Sequence, residues 1–106
     1  MMTIVSKLFN ELTIDELYGV LKLRSKVFVV EQDCVYLDID EKDKISMHVL
    51  GKKNSKIIAY ARIFKPGDYF QEAAIGRVVV DKNYRGSGYA YDIMKASIKL
   101  VQDKFN

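Results

Sequence analysis

Three valines, Val78-Val79-Val80, precede a polar turn, then Arg85-Gly86-Ser87-Gly88-Tyr89-Ala90, then apolar residues at helical spacing. A strand, a glycine-containing loop and a helix start, in that order, make an anion site. The first turn of a helix has unpaired N–H groups and carries the positive end of the helix dipole. Phosphates bind there through backbone amides. Glycine lets a phosphate approach the main chain and permits φ > 0, which gives a function to residues that cost a helix roughly 1 kcal/mol against alanine. Arg85 adds a charge able to bond phosphate oxygens in pairs. An ordinary turn before a helix accounts for the loop taken alone equally well. Two nucleotide motifs do not fit. A P-loop ends in Gly-Lys-Ser/Thr, which is missing. A dinucleotide fingerprint has its glycines directly after the strand of a βαβ unit, whereas here Asp81 to Arg85 intervenes and Tyr91 stands at the third glycine position.

Other residues invite chemistry. Glu31 follows the apolar run Val27 to Val30. Partial burial there would raise its pKa and suit it to act as a general base, directly or through a water; a surface glutamate at a helix end is the plainer reading. His48 is the single histidine and titrates near neutrality if unperturbed, so it is a catalytic candidate, with a structural role favoured. Arg24 lies on the apolar stripe of a helix, and Arg62 and Arg77 interrupt apolar strands. Buried arginines need partners. They either form a pocket for an acidic group on a substrate or pair internally with Asp38, Asp40 or Glu31, and pairing that also shapes a pocket is the preferred reading. Cys34 beside His48 would make a nucleophile pair that chance often produces. No Cys/His cluster has metal-ligand spacing, so no metal is expected.

These side chains need elements to hold them. Met1 to Leu8 reads as a strand. Thr13 and Glu16 form a capping box, and apolar recurrence from Leu17 to Phe28 predicts a helix over Ile14–Phe28. Val29 to Ser46 is a long acidic connection, the kind often used for function. Met47–Gly51 and Ile57–Phe64 read as a hairpin around the polar turn at Asn54 and Ser55. Alternation places His48 and Leu50 on one face and Met47 and Val49 on the other. Lys65-Pro66-Gly67-Asp68 is a turn, Gln71–Val80 a strand, and Gly88 to about Lys104 a helix. The order β-α-β-β-β-α is α+β rather than doubly wound.

Composition bounds the class. The 106 residues are 49% hydrophobic and 29% charged, an ordinary globular balance that suits a single domain. No apolar run approaches the ~20 residues of a membrane span, and the N-terminus lacks a signal-peptide pattern. With one cysteine no intrachain disulfide forms, and the chain reads as cytoplasmic. The net charge of +3 is spread out, and Asp38, Asp40, Glu41 and Asp43 form an acidic patch. A nucleic-acid binder would show a basic stripe, so none is expected as partner. An anionic small ligand fits the charge.

Arg85-x-x-Gly88-x-Ala90 resembles the Arg/Gln-x-x-Gly-x-Gly/Ala signature of GNAT-superfamily acetyltransferases, in which it follows the fourth strand and opens the third helix. Leu23 to Gln32, Tyr36-x-Asp38-x-Asp40, His48-x-Leu50-Gly51, Ala59 to Ile63 and Ile75 to Val80 are similar, in that order, to the ElaA-like branch. The resemblance spans essentially the whole chain, residues 1–106. It implies a GNAT (acyl-CoA N-acyltransferase) fold with a mixed, mainly antiparallel sheet flanked by helices. It implies acetyl-CoA as acetyl donor, with amides of Gly86 to Ala90 on the pyrophosphate and main-chain groups of Val78 to Val80 on the pantetheine arm and thioester. It implies direct attack by a primary amine of a small molecule or peptide, without an acyl-enzyme, and an oxyanion donor among the backbone N–H groups near Val79.

The family domain continues after its third helix with a fifth strand, a fourth helix and further strands, whereas this sequence stops at Lys104-Phe105-Asn106. The expectation is therefore a partial, C-terminally truncated domain whose valine strand is an open edge. Self-association through that edge, or loss of order near the C-terminus, is expected. An acetyl-CoA-binding module without catalysis is the main alternative. An acyl-homoserine-lactone synthase resembles the Arg24…Phe28…Asp38…Asp40…Arg62 pattern, but those enzymes usually have a tryptophan in the early loop and this chain has none. A purely structural α+β domain leaves the glycine loop unexplained.

Overall fold

The computed structural model describes residues 1–105. Four strands, β1 (Thr3–Leu8), β2 (Met47–Lys53), β3 (Lys56–Phe64) and β4 (Ala74–Val80), form one sheet in the order β1-β2-β3-β4. Every pairing among the described residues is antiparallel. The β2–β3 turn uses Asn54 and Ser55 at φ 53° and 69°, the left-handed pair of a tight hairpin turn. β4 begins at Ala74 rather than Gln71, because Gln71 to Ala73 belong to the hairpin loop that carries Tyr69 and Phe70.

One helix covers each face of the sheet. α1 (Ile14–Arg24) opens on the expected capping box, with Glu16 N–H donating to Thr13 Oγ1 at 3.0 Å and Thr13 N–H to Glu16 Oε1 at 2.9 Å. Beyond Arg24 the chain does not unwind at Phe28. It widens into a π-helical segment, Ser25–Glu31, with Gln32 N–H bonding Val27 O at 3.1 Å. Asp33, at φ 51°, ends it. The long acidic connection is therefore helical at its start, and a 3-10 turn (Lys42–Ile45) closes it.

α2 (Tyr89–Phe105) lies on the opposite face of the sheet. Period-two side chains divide the core. Leu50, Tyr60 and Val79 pack under α1 with Val20, Leu23 and Val27. Val49, Ala59, Ala61, Ile63 and Val80 pack under α2 with Ile93. β3, covered on both sides, is buried from Ile57 to Phe64, whereas β4 is the edge strand next to it.

Candidate functional site

The glycine loop is shaped as an anion cradle. Gly86 and Gly88 sit at φ 91° and 81°, a region that side chains other than hydrogen rarely tolerate. Space for a Cβ is open at both, so the requirement for glycine there is conformational. The first bond of α2 runs from Asp92 N–H to Gly88 O at 3.1 Å, which leaves the preceding amides without an intrahelical acceptor.

The adjoining strand contributes main-chain groups. Asp81 N–H donates to Ile58 O at 2.7 Å, and Ala59↔Val80 and Tyr60↔Val79 are the next pairs. Hydrogen-bonded and non-hydrogen-bonded pairs alternate in an antiparallel ladder. The peptide groups of Val79 therefore face β3, and those of Val78 and Val80 face the open edge. The cleft beside them, about 310 Å³, is lined by Val27, Phe28, Glu31, Gln32, Val78–Val80, Arg85 and Ala90. It falls at the small end of the ~300–1,000 Å³ range of ligand sites.

Arg85 spans this cleft. Its Nη1 and Nη2 donate to Glu31 at 2.6 and 3.0 Å, and its Nε donates to Val80 O at 3.1 Å. The expectation that burial raises the Glu31 pKa is reversed. Glu31 is solvent-facing, and the Arg85 hydrogen bonds hold its carboxyl below the usual range. An ion-paired carboxylate of lowered pKa is a weaker base than the apolar run before it suggested.

Arg24, Arg62 and Arg77 come together, but around carboxylates. Arg24, fully buried, donates Nε to Asp38 at 3.0 Å, Nη1 to Asp43 at 2.7 Å and Nη2 to Asp38 O at 2.7 Å. Arg62 holds Asp40 with two nitrogens at 2.8 and 3.0 Å and reaches Asp43 at 2.9 Å. Burial alone would raise Asp40, yet the Arg62 hydrogen bonds, the Lys42 N–H and the Arg62 and Arg77 charges bring its pKa to about 2. Arg77, partly exposed, donates Nε to Asp38 at 2.9 Å and stacks on Tyr36. Internal pairing is thus what the contacts show. As free charges of a substrate pocket, Arg24 and Arg62 are corrected: both guanidinium groups are buried, all three Arg24 nitrogens donate, and Arg62 Nη1 and Nη2 are taken by Asp40 and Asp43 while its Nε is buried without a partner.

His48 is corrected as a catalytic residue for a similar reason. It is fully buried, with Nε2 2.8 Å from Asp43 O and Nδ1 2.5 Å from Tyr60 Oη. A carbonyl only accepts, so Nε2 carries the proton and Nδ1 accepts from the Tyr60 hydroxyl. Burial lowers the His48 pKa, with the Asp43 hydrogen bond opposing. The imidazole is a neutral strut with no face toward a substrate. Cys34 is exposed and does not share His48's buried surroundings.

Sequence reasoning missed three things: Asp43 as the carboxylate shared by Arg24 and Arg62, Tyr60 as the partner of His48, and the Glu31–Arg85 pair. The first two had a signal, because even-numbered His48, Tyr60 and Arg62 alternate onto the α1 face. The third had none, since its partners are 54 positions apart. Among the described residues no group of His, Cys, Asp and Glu is arranged to hold a metal ion.

A model of the acetyltransferase (GNAT) family matches residues 10–105. Protein ElaA of Escherichia coli K12 is 42% identical over 92 residues, which cover 85% of this chain and 60% of ElaA. The chain thus spans about three-fifths of that relative's length. In the crystal structure of Escherichia coli ElaA, 37% identical, the likeness covers 99% of this chain and 72% of that one, with a TM-score of 0.93. A Pseudomonas aeruginosa acyl-CoA N-acyltransferase is 31% identical, with a TM-score of 0.92 over 97% of this chain and 72% of its own.

Proposed function

Because the chain belongs to the GNAT acetyltransferase family, in its ElaA-like branch, we propose that it binds acetyl-CoA in the cleft between the π-helical segment and β4 and transfers the acetyl group to a primary amine. The observation that carries this is the pairing of two left-handed glycines at the α2 N-terminus with edge-facing peptide groups on the adjoining strand. Amides from Gly86 to Ala90 hold the pyrophosphate, with Ser87 and Tyr89 inside that turn. Val78 offers its N–H and C=O and Val80 its N–H to the pantetheine amides and the thioester oxygen, the Val80 carbonyl being held by Arg85 Nε. When bound, acetyl-CoA supplies the activated acetyl group. The amine would attack directly: a C–N bond forms at the carbonyl carbon, the C–S bond breaks with its electron pair on the leaving CoA thiolate, and the amine proton passes through a base to that sulfur. Of the base candidates, only Glu31 lines the cleft. The acceptor is a small molecule or a peptide, and the setting is cytoplasmic.

Calorimetric titration with acetyl-CoA tests the reading. Gly88→Glu places a carboxylate against the pyrophosphate, and Gly88→Ala imposes only the backbone strain of φ 81°. Alanine should weaken binding about tenfold, since left-handed strain is of order 1–2 kcal/mol, and glutamate should weaken it further. No heat with the unmodified chain, or equal affinity in all three proteins, refutes the site. A second reading, cofactor binding without catalysis, is favoured by two observations: His48 is sealed and Glu31 is ion-paired. Binding without turnover on a panel of amines would select it.

A further inference from the structure

The register of β4 changes by one residue partway along. Tyr60 pairs with Val79, but Arg62 pairs with Gly76, so Arg77 and Val78 together oppose Ala61. This is a β-bulge, and Arg77 sits in it at φ 50°. Left-handed backbone is uncommon outside glycine and asparagine. Side chains and peptide groups alternate with period two, so a one-residue slip reverses both for the rest of the strand. Without the bulge, Tyr60 would face Val78, and the peptide groups turned to the open edge would be those of Arg77 and Val79. The conformation of Arg77 therefore selects which groups line the cleft.

The same residue is held from outside the strand. Its Nε donates to Asp38 Oδ1 at 2.9 Å, and its guanidinium lies 5.4 Å from the centroid of the Tyr36 ring. Asp38 is itself buried, with its other oxygen taken by Arg24 Nε at 3.0 Å. The clamp is thus anchored in α1 rather than in a free loop.

We propose that Arg77 is a positioning residue: clamped by Asp38, it locks the β4 bulge and so sets Val78 and Val80, rather than Val79, toward the cofactor cleft. This rests on the acetyl-CoA reading above for its consequence, but not for its geometry.

Two variants separate the clamp from the backbone. Arg77→Gly removes the guanidinium and removes the cost of φ > 0. Arg77→Val removes the guanidinium and adds a β-branch that resists the left-handed region. Amide hydrogen exchange of the unliganded full chain reads the register: Val79 N–H protected, Val78 and Val80 exchanging. Arg77→Gly should keep this pattern and keep acetyl-CoA affinity within about threefold. Arg77→Val should transfer protection from Val79 to Val78 and lower affinity tenfold or more. Arg77→Ala should lie between, and it decides the matter if the valine protein does not fold. A wild-type exchange pattern in Arg77→Val or, failing that, in Arg77→Ala overturns the proposal. So does an Arg77→Gly protein as impaired as the valine variant. If the unmodified chain binds no acetyl-CoA, the cofactor reading fails while the exchange data still decide the role of Arg77.

Discussion

Replacing Glu16 by glutamine tests how the first helix is fastened to the sheet. Glu16 is buried, yet it is the end point of three elements. It accepts the Thr13 N–H of the capping box, Lys7 Nζ from β1 at 2.8 Å, and Lys52 Nζ from β2. Burial by itself would raise its pKa, but the hydrogen bonds from Lys52, Lys7 and Thr13 outweigh this and bring it from 4.5 to about 2. A folded pKa below the unfolded one means that the unfolded chain takes the proton first. The contribution is therefore complete above about pH 4.5 and is lost as pH falls toward 2. At about 1.4 kcal/mol for each tenfold difference in proton affinity, it amounts to about 3 kcal/mol, a sizeable part of the ~5–15 kcal/mol that holds a domain together. Urea unfolding followed by circular dichroism, at pH 7, 5 and 3, measures it. The difference between wild type and Glu16→Gln should be about 3 kcal/mol at pH 7, little changed at pH 5 and clearly smaller at pH 3. Taking the difference cancels Asp40, which titrates in the same window. A difference independent of pH, or one below about 1 kcal/mol at pH 7, would show that the two lysines are ordinary surface partners and that the argument from burial is wrong.

The buried imidazole gives a second pH test. Tyr60→Phe leaves His48 Nδ1 without its donor and should cost about 1–3 kcal/mol in the same urea assay. Since burial keeps the folded His48 pKa below 6.5, the unfolded state again binds the proton first, so stability should fall as pH drops below 6.5; His48→Asn should flatten that slope. At the cleft, Glu31→Gln removes the anion paired with Arg85. Acetyl-CoA affinity should rise several-fold at low salt, with the gain shrinking at high salt, and a fall in affinity measured by calorimetry would mean that Glu31 positions Arg85 rather than competing for it.

What could be read from residue order alone was local. The capping box of Thr13 and Glu16, the turn at Asn54 and Ser55, the glycines before α2 and the facing of His48 with Leu50 each depend on neighbours within a few positions. Dihedral preference and side-chain period act over that range. The helix end was misjudged because Val27 to Val30 satisfy α and π winding alike, and the choice between them is made by packing. What Glu31, His48 and the three arginines do was decided only by closure of the chain. A guanidinium in an apolar strand announces that it needs an anion, but not which one. Asp38, Asp40 and Asp43 become the answer when the acidic connection folds back over the α1 face. The bulge at Arg77 is the clearest case. A run of valines looks the same in either register, and one left-handed residue, held by a carboxylate 39 positions away, determines which peptide groups the cleft receives.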